Sequence, residues 1–576
     1  MKNLYLTDID HFEIINSENI FFLGDWVKEN YDFEKKLKDI DYRIFDSKIF
    51  NKKNIFEIDQ NHKKFKLLVF DDLVKNLNIY HGSNYSKRYW QIIIEPWYTH
   101  FFEAILYRWK IVEKLLDSNI NFKSKFLFFI NNPTHFDYDH FIEDVESDNY
   151  YNQFLFQKII NFLDKKKNIK IVYDTKYEFL KKKKKIEKKS NLFNFLFSKI
   201  ARSKKYFCDL SIGIRKYIIL SILLKDFPFK DKKTFSKNNN DILYNEMSVL
   251  NIKKRKKINA TITPNSGFEN FFLDFLYLQI PIAFLEDFKK INNYLESKVT
   301  FRPKCIISDM KYATNTIFKF WLANSQLNGT KIIISDHGGS YGLLNGEFIN
   351  EQISDKSLRY FRSNFDNSFH APIIHKLHKR KKNLLSKLLV ITHNVSKYPH
   401  YVTTSPVSGQ VLDQVTMIKD FHKNLPRKIE DKFYIRPYHI DCWDLNTRYK
   451  EIFKNKVLIN KKHYEKIYKN SKIIISTYPK TTFYESFLSG PSILLTNLNH
   501  FKIKNEYDEL HDVLKKNKML FENSLDASNF VSKVWNNVDD WWYSKDVQEA
   551  LKIYKSYLAY EKKNSLRIWA DLIKKA

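Results

Sequence analysis

Glycine and proline are scarce in this chain, at 11 and 13 residues in 576. That excludes collagen-like and low-complexity chains and argues against an all-β architecture, whose many reversals call on both. Cysteine is scarcer still. Cys208, Cys305 and Cys442 lie far apart in sequence, form no metal-type spacing and supply no disulfide framework, as in a reducing, cytoplasmic setting. Long apolar runs are missing too. Stretches such as Tyr217 to Leu224 fall far short of a membrane span, and the opening MKNLYLTDID lacks the apolar segment of a signal peptide. The expectation is a soluble cytoplasmic protein, peripheral to a membrane at most.

Apolar side chains and positive charge are plentiful. Hydrophobic residues make up 43% of the chain and aromatics 16%, which is a globular composition, and the length calls for two or more cores. The net charge of +31 points to nucleic acid, an anionic membrane surface or anionic substrates as partners. Part of it is compositional, since Lys, Asn, Ile, Phe and Tyr are abundant throughout. The runs Lys165–Lys167 and Lys181–Lys185 carry no arginine, and the chain holds no RNP, KH, zinc-finger or helix-turn-helix signature. Nucleic acid is therefore not expected. A membrane-surface contact is open to such runs, each lysine near an anionic leaflet contributing about 1 kcal/mol.

Read in order, the chain opens with an extension to about residue 60. The spacing predicts a strand over Phe65–Phe70, a short helix over Leu73–Tyr80 and an amphipathic helix over Trp97–Leu116. The THFDYDH stretch, residues 134–140, has histidines and aspartates but no second ligand cluster, so no metal is assigned to it. Ile169–Tyr173 reads as a strand, Lys230–Asn240 as a loop and Phe268–Leu278 as a helix. A strand at Cys305–Asp309, a helix at Asn315–Leu327 and a strand at Lys331–Ile334 form a βαβ unit. After a polar stretch to Lys382, short apolar strands and helices alternate. The strands fall at 388–392, 433–436, 457–459, 473–477 and 491–495, and the helices at 411–424, 463–469 and 481–488. The fold class is α/β, with doubly wound parallel sheets. The expected domains are residues 1–382, with a basic insertion near 164–190, then 383–540, then a helical segment 541–576 packing back on the body.

Two stretches carry candidate chemistry. The first is KIIISDHGGSYG, residues 331–342, in which a buried strand delivers Asp336 and His337 to a break on Gly338 and Gly339. Ligands of open α/β sheets bind beyond the carboxyl ends of the strands. A histidine there, beside glycines that permit close backbone approach, is placed for chemistry on a bound group; the alternative is a turn with a solvent-facing histidine. The second is STYPKTT, residues 476–482, at another strand end. Its hydroxyls and the free N–H groups of the first helical turn suit a phosphate, while Thr482 with Glu485 also matches a capping box. Glu485 can further accept hydrogen bonds from ribose hydroxyls. Arg436, at a strand end, can neutralise a phosphate or sit in a surface ion pair.

The motifs FLGDW (22–26), SKRYW with the following PW (86–97), HGGSYG (337–342) and STYPKTTFYE (476–485) resemble a family of bacterial transferases associated with O-antigen and surface-polysaccharide biosynthesis, of the GT-B glycosyltransferase type. More distantly the loops are similar to those of Kdo and CDP-glycerol transferases. The resemblance implies two domains facing across a cleft. It implies transfer of a sugar, Kdo- or nonulosonate-like among the options, from a nucleotide-sugar donor to a glycan or lipid-linked acceptor, with no cofactor and no metal. By the same resemblance Ser476, Thr477, Thr481 and Thr482 hold the donor phosphate, Gly338 and Gly339 allow its close approach, and Glu485 holds the ribose, with Arg436 placed by its strand end to neutralise the leaving phosphate. His337 is then the base or a phosphate contact, and Asp336 either orients it or caps the turn. A CDP-polyol phosphotransferase on the same fold, or a non-catalytic binder of nucleic acid or anionic glycan, are the alternatives.

Overall fold

A computed structural model of the chain describes residues 1–9, 11–45, 50–118, 120–164, 168–179, 205–228, 234–258, 260–299, 301–338, 350–374, 380, 385–400, 406–501, 503–558 and 564–575. The lysine runs 165–167 and 181–185, together with Gly339, lie outside them.

The α/β expectation holds, with three parallel five-stranded sheets among the described residues. The first contains β1 (Lys2–Tyr5), β2 (Ile20–Phe22), β3 (Tyr42–Ile44), β4 (Phe122–Phe129) and β5 (Ile169–Tyr177), in the order β3-β2-β1-β4-β5. The second contains β6 (Tyr206–Asp209), β7 (Cys305–Ser308), β8 (Lys331–Ser335), β9 (Lys356–Arg359) and β10 (Ser368–His370), laid down in sequence order. The third contains β11 (Lys387–Ile391), β12 (Phe433–Arg436), β13 (Ser471–Ser476), β14 (Ser492–Leu495) and β15 (Leu520–Phe521), in the order β12-β11-β13-β14-β15. The first and third sheets reverse direction in the manner of doubly wound folds, which creates a switch point between β1 and β4 and another between β11 and β13. Residues 1–382 thus carry two sheets.

Several local readings change. The run at 65–70 is not a strand but the middle of a helix, Lys52–His81. Ile55, Phe65, Val69, Leu73 and Leu77 are buried on one stripe of it, a spacing hidden in the sequence by the apolar string around Leu67 and Leu68. Gly82, with φ 63°, closes it in the left-handed conformation. The helix expected from Trp97 begins ten residues earlier, at Lys87, with Ser86 capping the N–H of Tyr89. Running to Asp117 through Pro96, it is buried on nearly every side, a core helix rather than an amphipathic one. The loop expected at 230–240 gives way to a helix at Lys237, and residues 457–459 form only a single bridge, Val457 to Ile435.

The third unit is locked to the first by the segment that follows β11. Lys397 reaches the carboxyl edge of the first sheet, beside its switch point, and lies 2.8 Å from Asp8 in a buried ion pair. Burial raises the Asp8 carboxyl's pKa, but His11 and Lys397 outweigh it and hold the pKa below the usual value. Next to it Tyr398 donates its N–H to the Glu146 carbonyl and its hydroxyl to Asn149, and the buried Arg108 donates to the Pro399 carbonyl. The C-terminal helices return to the second sheet's surroundings, where the buried Trp569 donates to the Pro372 carbonyl at 2.7 Å.

Candidate active site

The carboxyl edges of the second and third sheets face each other. From β8 the chain passes Asp336 and presents His337 and Gly338; from β13 it turns through residues 477–480 into the helix Thr481–Ser489. A cavity of about 320 Å³ lies between them, lined by His337, Gly338, His393, Tyr438, Lys480, Thr481 and Thr482 among others. A second cavity, of about 480 Å³, continues along the carboxyl edge of the third sheet and shares His393, Pro406 and Phe501 with the first. Its floor is formed by strand ends, Thr477 after β13, Thr496 and Asn497 after β14, and Glu522 after β15.

Two of the four expected clusters therefore meet. Gly338 touches the helix end so closely that a Cβ built on it would lie 2.5 Å from Thr481 Oγ1. The capping reading of Thr481 and Thr482 does not hold. Lys480 occupies the N-cap position without a side-chain capping bond of its own, and the Thr482 hydroxyl pairs instead with Tyr478 at 2.9 Å. A helix N-terminus presents N–H donors and a partial positive charge. Lys480 adds a cation there; desolvation brings its ammonium down to about 8.

The carboxylate beside His337 is not Asp336. Asp336 is buried, 2.9 Å from Arg359 and accepting the N–H of Tyr360 at 2.8 Å, and burial pushes it up to about 7 against the pull of that guanidinium. The carboxylate facing His337 belongs to Asp309, at the end of β7, whose Oδ2 lies 3.4 Å from His337 Nδ1. Asp309 is itself fixed by the N–H of Ser211, at 2.6 Å, and by the Ser211 hydroxyl. His337 is 38% exposed at the cavity, the accessible member of this group.

Three other expected ligands stand elsewhere. Arg436 donates to the carbonyls of Leu458 and Ile459 at 2.5 and 2.7 Å and stacks on Tyr464, and it lines neither cavity. Ser476 is fully buried and lines neither cavity. Glu485, one turn into its helix, lines neither; desolvation raises its carboxyl to about 7. Thr477 reaches the larger cavity, where its hydroxyl bonds Gln414 and meets His393.

The other two motif stretches serve packing. A Cβ at Gly24 would overlap the Trp26 ring, whose indole N–H donates to the Leu6 carbonyl. Arg88 binds the Ile353 carbonyl and Asp355. In the THFDYDH stretch His135 pairs with Asp144 and His140 with Asp137. No cluster of three or more metal-ligating side chains occurs among the described residues, and no described helix is long and apolar enough to cross a membrane.

The family described as LIC12162 family transferase matches residues 2–573. No curated protein sequence matches the chain. Among solved structures it is similar to MurG of Acinetobacter baumannii, with 11% identity, 65% of this chain and 99% of that one covered, and a TM-score of 0.33. It is similar to WaaG, a glycosyltransferase involved in lipopolysaccharide biosynthesis, with 9% identity, 64% and 100% covered, and a TM-score of 0.29. The wall teichoic acid polymerase TagF matches with 10% identity, 50% and 84% covered, and a TM-score of 0.29. Likenesses this distant carry no inference about activity.

Proposed function

The chain belongs to the LIC12162 family of transferases, and on that footing we propose that it is a GT-B glycosyltransferase moving a sugar from a nucleotide-activated donor to a glycan or lipid-linked acceptor. The observation that carries the reading is the convergence of His337 with Lys480 and the N-terminal end of helix Thr481–Ser489 in one cleft. A base and an anion cradle on opposite walls are what such a transfer needs.

In this reading His337 takes the proton of the acceptor hydroxyl, with Asp309 holding the Nδ1–H so that Nε2 is the basic atom. The acceptor oxygen attacks the sugar's anomeric carbon, and the bond from that carbon to the phosphate oxygen breaks. The charge that develops on the leaving phosphate meets Lys480, the Thr481 and Thr482 hydroxyls and the first N–H groups of the helix, donors already in place. No metal takes part in this scheme. Membership of a transferase family displaces the non-catalytic reading.

The test is turnover by His337→Ala with a nucleotide-sugar donor. General base catalysis contributes roughly 10²–10⁴-fold, so turnover falls by that factor while nucleotide binding holds. Unchanged turnover removes His337 from the role of base.

A further inference from the structure

His393 stands just beyond the end of β11, at the switch point of the third sheet, in the wall common to both cavities. It is 7% exposed, with the rings of Tyr478 and Phe501 at 5.2 and 5.5 Å. The contacts around it fix which ring nitrogen carries the proton. Gln414 Oε1 accepts the backbone N–H of His393 at 3.2 Å and Gln414 Nε2 donates to its carbonyl at 3.3 Å, which sets the orientation of the amide. The Thr477 hydroxyl has one proton, and its nearest partner is that same Gln414 Oε1, an acceptor only. Toward His393 Nδ1, at 3.3 Å, the Thr477 oxygen is therefore left to accept. Nδ1 carries the hydrogen, and Nε2, a buried atom with no hydrogen-bond partner among the described residues, is a bare lone pair. Desolvation brings the ring down to about 3, so it stays neutral at physiological pH.

We infer that His393 is a specificity-determining residue whose Nε2 accepts a hydrogen bond from a hydroxyl or amino group of the nucleoside part of the donor. The inference rests on the nucleotide-donor reading of the cleft and deepens it. A neutral acceptor gives nothing to a phosphate oxygen and asks for an N–H or O–H. The surroundings divide in the same way. On the His337 side lie Lys480 and the helix N-terminus, suited to phosphate. On the other side the lining includes Asp413, Asp420 and Glu522, which repel phosphate and suit a neutral group rich in donors. The nucleotide thus lies with its phosphates toward His337 and its nucleoside in the larger cavity, and His393 reads the junction. A buried acceptor left unpaired by the wrong ligand is a strong discriminator.

The test pairs deletion of ligand groups with deletion of the acceptor. Titration calorimetry measures CMP, CDP and UDP and their 2′- and 3′-deoxy forms against the wild type and His393→Phe. The expected result is that removing one donor group, a ribose hydroxyl or the cytosine amino group as judged by CDP against UDP, weakens wild-type binding by tenfold or more and binding to His393→Phe by less than twofold. Equal losses in both proteins for every group overturn the inference while leaving the donor site intact. Nitrogen chemical shifts of the His393 ring in the unliganded wild type are expected to show hydrogen on Nδ1; hydrogen on Nε2 overturns it whatever the variant does. If no nucleotide binds the wild type, the donor-site reading falls and takes the ligand assignment with it.

Discussion

Gly338 and Thr481 are in such close approach that the smallest possible side chain on Gly338 would sit 2.5 Å from the Thr481 hydroxyl. The loop after β8 and the helix after β13 come from different sheets, so this contact sets the width of the cleft between His337 and the anion cradle. Gly338→Ala is expected to wedge the two apart and cut turnover by about 10²-fold, as displacements near 1 Å do. Adding Thr481→Ala removes the obstructing hydroxyl, so the double variant should be no worse than Thr481→Ala alone. Kinetics across the four proteins check this; losses that simply add would show that the contact does not set the geometry.

Asp309 and Asp336 are expected to separate by function. Asp309→Asn, which loses the charge facing His337 Nδ1, is expected to lower kcat by roughly 10²-fold, the low end of general base catalysis. Asp336→Asn acts on Arg359 and Tyr360 instead, so the pH–rate profile should keep its shape. A profile altered by Asp336→Asn and untouched by Asp309→Asn would reverse the assignment.

Much of this site is legible in the sequence because strand ends are legible. An apolar run stopping at Ser335 or Ser476 places the next residues at a carboxyl edge, and both loops fall there. What lies across the fold is not legible. Asp309 is 28 residues from His337 in sequence, and only the pairing of β7 with β8 brings them together. Arg436 also stands at a strand end, yet the backbone at 458–459 takes its guanidinium, an interaction that local pattern does not reveal. His393 follows a strand just as plainly. Its importance depends on β11 and β13 being neighbours, which is a matter of strand order. The helix over 65–70 was hidden for a different reason: its apolar string matches a strand until the buried stripe is traced over the whole of Lys52–His81.

Lys480 is expected to give nucleotide binding a pH signature. Its ammonium titrates at about 8 in the free protein because burial disfavours the charge, and a bound phosphate favours it. Below pH 8 the lysine is already protonated and affinity is flat. Above pH 8 binding must take up a proton, so affinity falls by up to about tenfold per pH unit. Calorimetry at pH 9 in buffers of different ionisation enthalpy should show uptake approaching one proton per nucleotide, and Lys480→Met should show none. Equal proton uptake by the two proteins would take Lys480 out of the phosphate site.

Arg436 is a structural residue here. Arg436→Ala leaves the Leu458 and Ile459 carbonyls without their donor and uncovers Tyr464, costing about 1–3 kcal/mol of stability. Nucleotide affinity should stay within twofold. A tenfold loss of affinity with unchanged Tm would return Arg436 to the leaving group.

A nucleotide-phosphate site at the N-terminal end of helix Thr481–Ser489 is tested most directly by thermal shift with CMP, CDP, UDP, UDP-sugars and GDP at fixed salt, on the wild type and on Thr481→Val/Thr482→Val. A ligand at a hundred times its Kd stabilises by about 2.7 kcal/mol. One nucleotide is expected to raise the wild-type Tm, and the rise is expected to be lost in the double variant. No rise with any nucleotide, or an equal rise in both proteins, would contradict it.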